Sequence, residues 1–471
     1  MRLSTSAIIT ASIAAAALAA CGGDSAPANT ACTGITGTCV AFGPGAKEAD
    51  ISAALVTAKP STTIAFAAGT YTFTNTLNLS NVSGITIRGA GSDTATVTAQ
   101  TVLDFSTVTG SGEGILATNT DQILFLNFIA RDTKGNGIKV VGSNGVTWRN
   151  VKTLWTNADS HTHGAYGLYP VQCHNILIEN CEVAGAADAG VYVGQSDHII
   201  VRNNNVHNNV AGIEIENSSY SDVSGNSCHD NVGGILVFNM PDLQINEGGW
   251  NHVFNNQIVT NNSVNFAKRG SSVSRVPGGT GAFVLAGHDV EVDHNTFTGN
   301  NATAFSIVSY SITGDTRASF DYGYLTKQWP AKIYVHDNTF AGNGTDPRGS
   351  TTPLAADCPD PTVKTPAADC PDAVAYGLGQ MLYATQVVTS SAVVPLVYDG
   401  IVPPGVTTST NGGTADDLMK ICFGATATGF VNLHFDKFAA TGFTDPSVFT
   451  TDFAKFNCTL PALPAITVTA P

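Results

Sequence analysis

The chain has 471 residues, of which only 12% are charged, with 48 glycines and a formal net charge of −15. That acidity, with no cluster of Lys and Arg, excludes a nucleic-acid partner, because phosphate binding needs concentrated positive charge. Abundant Gly with frequent Asn, Ser and Thr suits many short strands joined by tight turns and suits helical bundles poorly.

Read from the start, Arg2 precedes an apolar run from Ala7 to Ala20 that is too short to span a bilayer and ends in small residues. The run closes on Leu18-Ala19-Ala20-Cys21, which resembles the lipobox of bacterial lipoproteins. Residues 1–20 are thus expected to be a lipoprotein signal peptide, with Cys21 as the acylated first residue of the mature chain. Gly22 follows without an Asp, which resembles the sorting rule for the Gram-negative outer membrane. The expected location is the cell envelope, lipid-anchored, periplasmic or surface-facing. Residues 21–45 form the tether.

Lys47 to Ala58 then reads as a short amphipathic helix with Ile51 and Leu55 on one face, suited to plug one end of a solenoid. From Ala46 to about residue 345 a short strand motif recurs at Gly137, Gly167, Gly190, Gly212, Gly234 and Gly281, with steps of 30, 23, 22, 22 and 47 residues. A second strand follows the same rhythm at Ile176–Ile178, Ile199–Val201, Val290–Val292 and Ile333–Val335. A third landmark is Asn two places before an apolar residue, at Asn204, Asn226, Asn256, Asn295 and Asn338. Each unit can bury only a few side chains alone, so the units must stack, pairing each backbone group with the coil above and below. Asn is expected at the turns because it tolerates left-handed backbone and can hydrogen-bond its stacked neighbours. The pattern predicts an all-β chain, a right-handed single-stranded parallel β-helix with a short N-terminal capping helix. Residues 346–372 form a Pro-rich irregular segment, and residues 373–471, which lack the period, an irregular C-terminal cap.

Cysteine placement fits an oxidising compartment. Three close pairs suggest themselves outside the repeats: Cys32 with Cys39, Cys358 with Cys370, and Cys422 with Cys458. Cys173, Cys181 and Cys228 lie within the repeats, and at least one of them is expected to be a free, buried thiol.

The repeat form Ile-x-Val-x-x-Asn…Asn-x-x-x-Gly-Ile resembles the NosD-like repeat of carbohydrate-binding and sugar-hydrolase β-helices. The blocks Gly164–Gln172, Ala187–Ser196, Val210–Ser218 and Gly233–Asp242 resemble a family of exported β-helix lipoproteins with the pectin-lyase-like fold. Wider relatives on this fold include pectate lyases, alginate lyases and mannuronan epimerases. The resemblance implies fold and location but carries no single reaction.

Uronate lyases and epimerases need a base, an acid and a positive group or metal beside the substrate carboxylate. Two places beyond each repeat Gly the outward position reads Lys139, Tyr169, Tyr192, Glu214 and Leu236, one coil apart. Tyrosine faces stack on sugar rings, and Lys, Tyr and Glu can move protons. Asp188 lies near the same edge, Glu216 extends the next outward row, and Tyr166 and Gln195 flank the ladder as substrate-binding candidates. The plainer alternative is an ordinary solvated sheet. An insertion carrying Asp159, His161 and His163 offers a base and its orienter, or metal ligands, or is simply a polar loop; it partly resembles the Asp/His motif of β-helix mannuronan epimerases, without its Pro and closing Asp. A second insertion, Asn261 to Arg275, holds Lys268 and Arg269, a rare basic pair that could receive a substrate carboxylate or simply belong to a solvated loop. No metal site is assigned and no cofactor expected; Ca2+ is the ion compatible with this chemistry. The expected function is binding of an extended polysaccharide along one face, with lyase or C5-epimerase chemistry. The alternative is a non-catalytic envelope component that binds a protein partner.

Overall fold

A computed structural model describes residues 31–92, 100–156, 161–268, 270–313, 329–347, 378, 381–382, 384, 396–401, 420–424, 429–442 and 444–471. Cys21 and the leader, Asp159, Arg269, Cys358 and Cys370 lie outside the described residues. The chain is a right-handed parallel β-helix, every strand pairing in parallel with the strand one coil on. Among the described residues one sheet has 11 strands; the other has 20 and combines two strand stacks. A representative coil runs Asp197–Arg202, Asn205–His207, Ala211–Glu216, the first two strands in the larger sheet and the third in the smaller. Eleven coils at about 4.8 Å give a rod of roughly 50 Å.

Alternation along each strand builds the core. Val191, Ile213 and Ile235 fall in register from coil to coil and are buried, continued by Ala282 and Phe305. Fully burying one such aliphatic side chain contributes about 1.5–3 kcal/mol. The stack begins at Thr38–Phe42, inside the stretch read as a tether, which pairs with Thr62–Phe66. It continues past residue 345 through Leu396–Tyr398, Ile421–Phe423 and Phe430–Asn432. The helix Glu48–Val56 buries Ile51 and Leu55 as expected.

The Asn landmarks form one buried ladder, and a second set of asparagines forms another. In one, the side-chain oxygens of Asn226, Asn256, Asn295 and Asn338 each accept the backbone N–H of the Asn one coil before, at 2.9–3.0 Å. Asn209, Asn231, Asn261, Asn300 and Asn343 repeat the arrangement at a second corner. Left-handed backbone is not their task, a correction to the sequence reading. That conformation falls on the residue before each rung, at Asn203, Gly225, Asn255, His294 and Asp337.

Cys32–Cys39 and Cys422–Cys458 are disulfide-bonded, and Cys173, Cys181 and Cys228 are free and buried. Among the described residues no helix is long and apolar enough to cross a membrane.

Candidate functional site

Strand register places Lys139 opposite Tyr169, and Tyr192 opposite Glu214 opposite Leu236, so the outward ladder exists. It is not solvated. Glu214 is 3% exposed, Tyr192 6% and Leu236 1%. The cause is the insertion after Asn261, which packs back over the smaller sheet and buries Ala267, Val273 and Val276 against Tyr192 and Leu236. This corrects the expectation of a solvated loop, because its apolar residues outnumber what a loop in water would expose. Lys268 remains exposed on its outer side.

Under this cover lies a cleft of about 260 Å³ lined by Tyr166, Asp188, Tyr192, Glu214 and Glu216 at one end and by Leu236, Phe238, Phe283 and Leu285 at the other. Val273, Arg275 and Val276 form its roof. Tyr166, Tyr169 and Tyr192 make an aromatic cluster with ring centroids 4.3–4.9 Å apart. The Tyr192 hydroxyl donates to the Glu216 carboxylate. Lys139 is engaged at the margin, its Nζ 4.8 Å above the Tyr169 ring and 3.8 Å from the Glu113 carboxylate.

The electrostatics follow from burying carboxyls without cations. Burial pushes Asp188 up to about 7, aided by the Glu216 charge and opposed by a hydrogen bond from Tyr166. Burial, with the charges of Asp188 and Glu216, drives Glu214 well above the usual carboxylate range. Glu216 is raised by burial and held back by the Tyr192 hydroxyl. Tyr169 is pushed up to about 12, first by burial and then by the surrounding carboxylates. No described side chain hydrogen-bonds to Glu214 or pairs with it, and Arg275 forms no ion pair with a described residue. Among the described residues, the cleft therefore combines carboxyls raised by burial with one cation, Arg275, that has no ion pair.

The remaining predicted residues lie elsewhere. His163 Nδ1 is 2.7 Å from the Gly185 carbonyl and its ring stacks on Trp155 at 6.0 Å, which gives it a packing role in its loop. His161 is exposed in the same loop, and neither lines the cleft. Gln195 is buried and accepts the Ile245 N–H at 3.0 Å. Arg275 was missed, since the direction of a side chain in an irregular insertion has no signature in spacing.

Residues 144–340 match the family model of a right handed beta helix region. No curated protein matches the chain. Among solved structures, the chain is similar to the A-module of a mannuronan C-5 epimerase of Azotobacter vinelandii, at 15% identity and a TM-score of 0.36 over 63% of this chain and 91% of that one. It is also similar to a hyperthermoactive exopolygalacturonase of Thermotoga maritima, at 13% identity and a TM-score of 0.32, covering 60% and 68% of the two chains. A surface adhesin of Streptococcus pneumoniae matches at 11% identity and a TM-score of 0.33, covering 63% and 86%.

Among the described residues, the carboxyls of the cleft do not converge closely enough to share one ion. The group whose donor atoms all lie within 4.8 Å of one another is His252, Glu291 and Asp293, on the larger sheet.

Proposed function

We propose that the roofed cleft binds a stretch of acidic polysaccharide and carries out proton transfer on it, as a lyase or C5-epimerase does. The observation that carries the reading is that one cleft is lined by a buried carboxyl, Glu214, and Arg275, neither paired with a described residue, by a second carboxyl poised near neutrality, Asp188, and by stacked tyrosines. Tyr166, Tyr169 and Tyr192 give sugar rings an aromatic wall. Arg275 receives the uronate carboxylate, where a bidentate guanidinium stabilises the charge that develops as the neighbouring C–H bond breaks.

Asp188, ionised in a useful fraction at neutral pH, takes that proton as base. Glu214, protonated there, is the acid. In elimination it donates its proton to the glycosidic oxygen as the C–O bond breaks and a C=C bond forms. In epimerisation it returns a proton to the opposite face of the same carbon. Either way each proton removed or delivered is accounted for by one of the two carboxyls. Lys139, His161, His163, Gln195 and Lys268 have no part in this step. Ca2+, if used, would enter with the substrate carboxylates, since the cleft's own carboxyls are too dispersed to hold it.

We place the mature protein in the cell envelope, held by an acylated Cys21, so that the rod is tethered at its N-terminal end. A non-catalytic role with a protein partner is the second reading. It draws support from the C-terminal tail, which lies along the larger sheet as an extended polypeptide and shows that this surface takes one.

The test is binding and turnover by residues 22–471, with Cys21 removed, on a panel of polyuronates and neutral glycans. Unsaturated-uronate absorbance and proton exchange from solvent would be followed together. A Glu214→Gln variant should keep binding and lose about 100-fold or more in rate. Failure to bind any glycan would refute the reading.

A further inference from the structure

The larger sheet carries a second convergence of chemistry, apart from the cleft. Val223, Val253 and Val292 point into the core one coil after another. The residues before them, Asp222, His252 and Glu291, therefore form one outward column, Cα partners from coil to coil. Donor atoms of His252, Glu291 and Asp293 all lie within 4.8 Å of one another. His252 Nε2 is 2.7 Å from Asp293 Oδ1, and His336 Nε2 is 3.1 Å from Glu291 Oε1 and 4.0 Å from Asp293 Oδ2. Asp222, Glu291 and Asp293 are all more than nine-tenths buried.

Two further observations point to a ligand. Asp222 Oδ1 is buried beside the His252 coil with no hydrogen-bond partner. A buried carboxylate oxygen left bare is costly unless something positive meets it. The C-terminal tail also closes over the column. Leu463 N–H donates to Glu291 Oε2 at 2.6 Å and Ile466 N–H donates to Asp222 Oδ2 at 3.0 Å, so the chain between these anchors crosses the coil that carries His252. The tail thus lies against a group of imidazoles and carboxylates.

We propose that His252, Glu291 and Asp293 bind one divalent transition-metal ion of the Zn2+ type beneath the C-terminal tail, with Asp222 and His336 beside it. Mixed imidazole and carboxylate donors suit Zn2+ and its neighbours, whereas Ca2+ takes oxygen ligands alone and six to eight of them. The ion would replace the His252–Asp293 hydrogen bond, offset the charge of the neighbouring bare Asp222 oxygen, and hold the coils of His252 and Glu291 together.

The experiment is calorimetric titration of metal-stripped protein (residues 22–471, Cys21 removed) with Zn2+ alone and, separately, Ca2+ alone. The expected result is one Zn2+ per chain, bound at least about tenfold more tightly than Ca2+. A His252→Gln, Asp293→Asn double variant should lose about 100-fold in Zn2+ affinity, while His198→Gln, altering an exposed histidine outside the cluster, should lose none. If the double variant melts early, Asp222→Asn serves in its place and should weaken Zn2+ binding with the fold intact. Hydrogen exchange at the Leu463 and Ile466 amides should slow when Zn2+ is added. Absence of Zn2+ binding by natively folded protein, or affinity unchanged in both variants, would overturn the proposal.

Discussion

A carboxyl group that is 3% exposed and lacks a hydrogen-bonding partner is costly whenever it ionises, and Glu214 is such a group. Asp188 shares the cost through its neighbours. Because both have folded-state pKa values above the unfolded ones, the native state binds more protons than the unfolded chain between the two values. The stability they contribute is fully present below about pH 4 and is lost as pH rises through about 7 for Asp188 and higher for Glu214. Asp188→Asn and Glu214→Gln should therefore raise stability at pH 8 by about 1–3 kcal/mol while abolishing turnover. Thermal melts at pH 3 and pH 8 check this, since the gain should nearly vanish at the lower pH, below the unfolded carboxyl values. Turnover of the native protein should rise with pH as Asp188 ionises near 7 and fall again as Glu214 loses its proton. A rate profile flat from pH 5 to pH 9 would contradict the assigned roles.

At the scale of elements, the coils between Asn204 and Asn343 are held at two corners by the asparagine ladders. Asn256 illustrates the density of bonding: its Oδ1 accepts from the backbone and side chain of Asn226, and its Nδ2 donates to Val223 O and Asn295 Oδ1. Asn256→Ala removes these and leaves a buried N–H without an acceptor. It should cost about 2–4 kcal/mol, measured by denaturant unfolding. These rungs were legible in the sequence because their spacing follows the coil. The outward row of Lys139, Tyr169, Tyr192 and Glu214 was legible for the same reason, since strand periodicity fixes which side chains face out. What covers that row was not. The loop bearing Val273, Arg275 and Val276 has no period, and only its packing on the smaller sheet turned a surface ladder into a cleft. The column of Asp222, His252 and Glu291 could have been found by aligning the valines that follow them.

The molecule as a whole is a rod in which each coil contacts its neighbours, so long-range order must come from elements that cross many coils. The C-terminal tail is one. It bonds Glu291 through Leu463, Asp222 through Ile466 and Asn175 through Thr469, advancing three residues for every two coils. Three extended residues reach about 10 Å and two coils span about 9.6 Å, so extended chain and rod share a period. This match was invisible in the sequence because the tail carries no repeat of its own. Cys422–Cys458 pins the start of the tail to the strand Ile421–Phe423. Cys458→Ser should speed hydrogen exchange at Ile466 and Thr469 without altering exchange in the core coils; uniform loss of protection would show that the tail is needed for the rod itself. The central claim, that the roofed cleft performs acid–base chemistry on an acidic glycan, is tested most directly by single-turnover rates on a polyuronate for native protein and Glu214→Gln. The account predicts equal glycan affinity and a rate at least about 100-fold lower in the variant. Equal rates in both proteins, or no turnover and no binding in the native one, would contradict it.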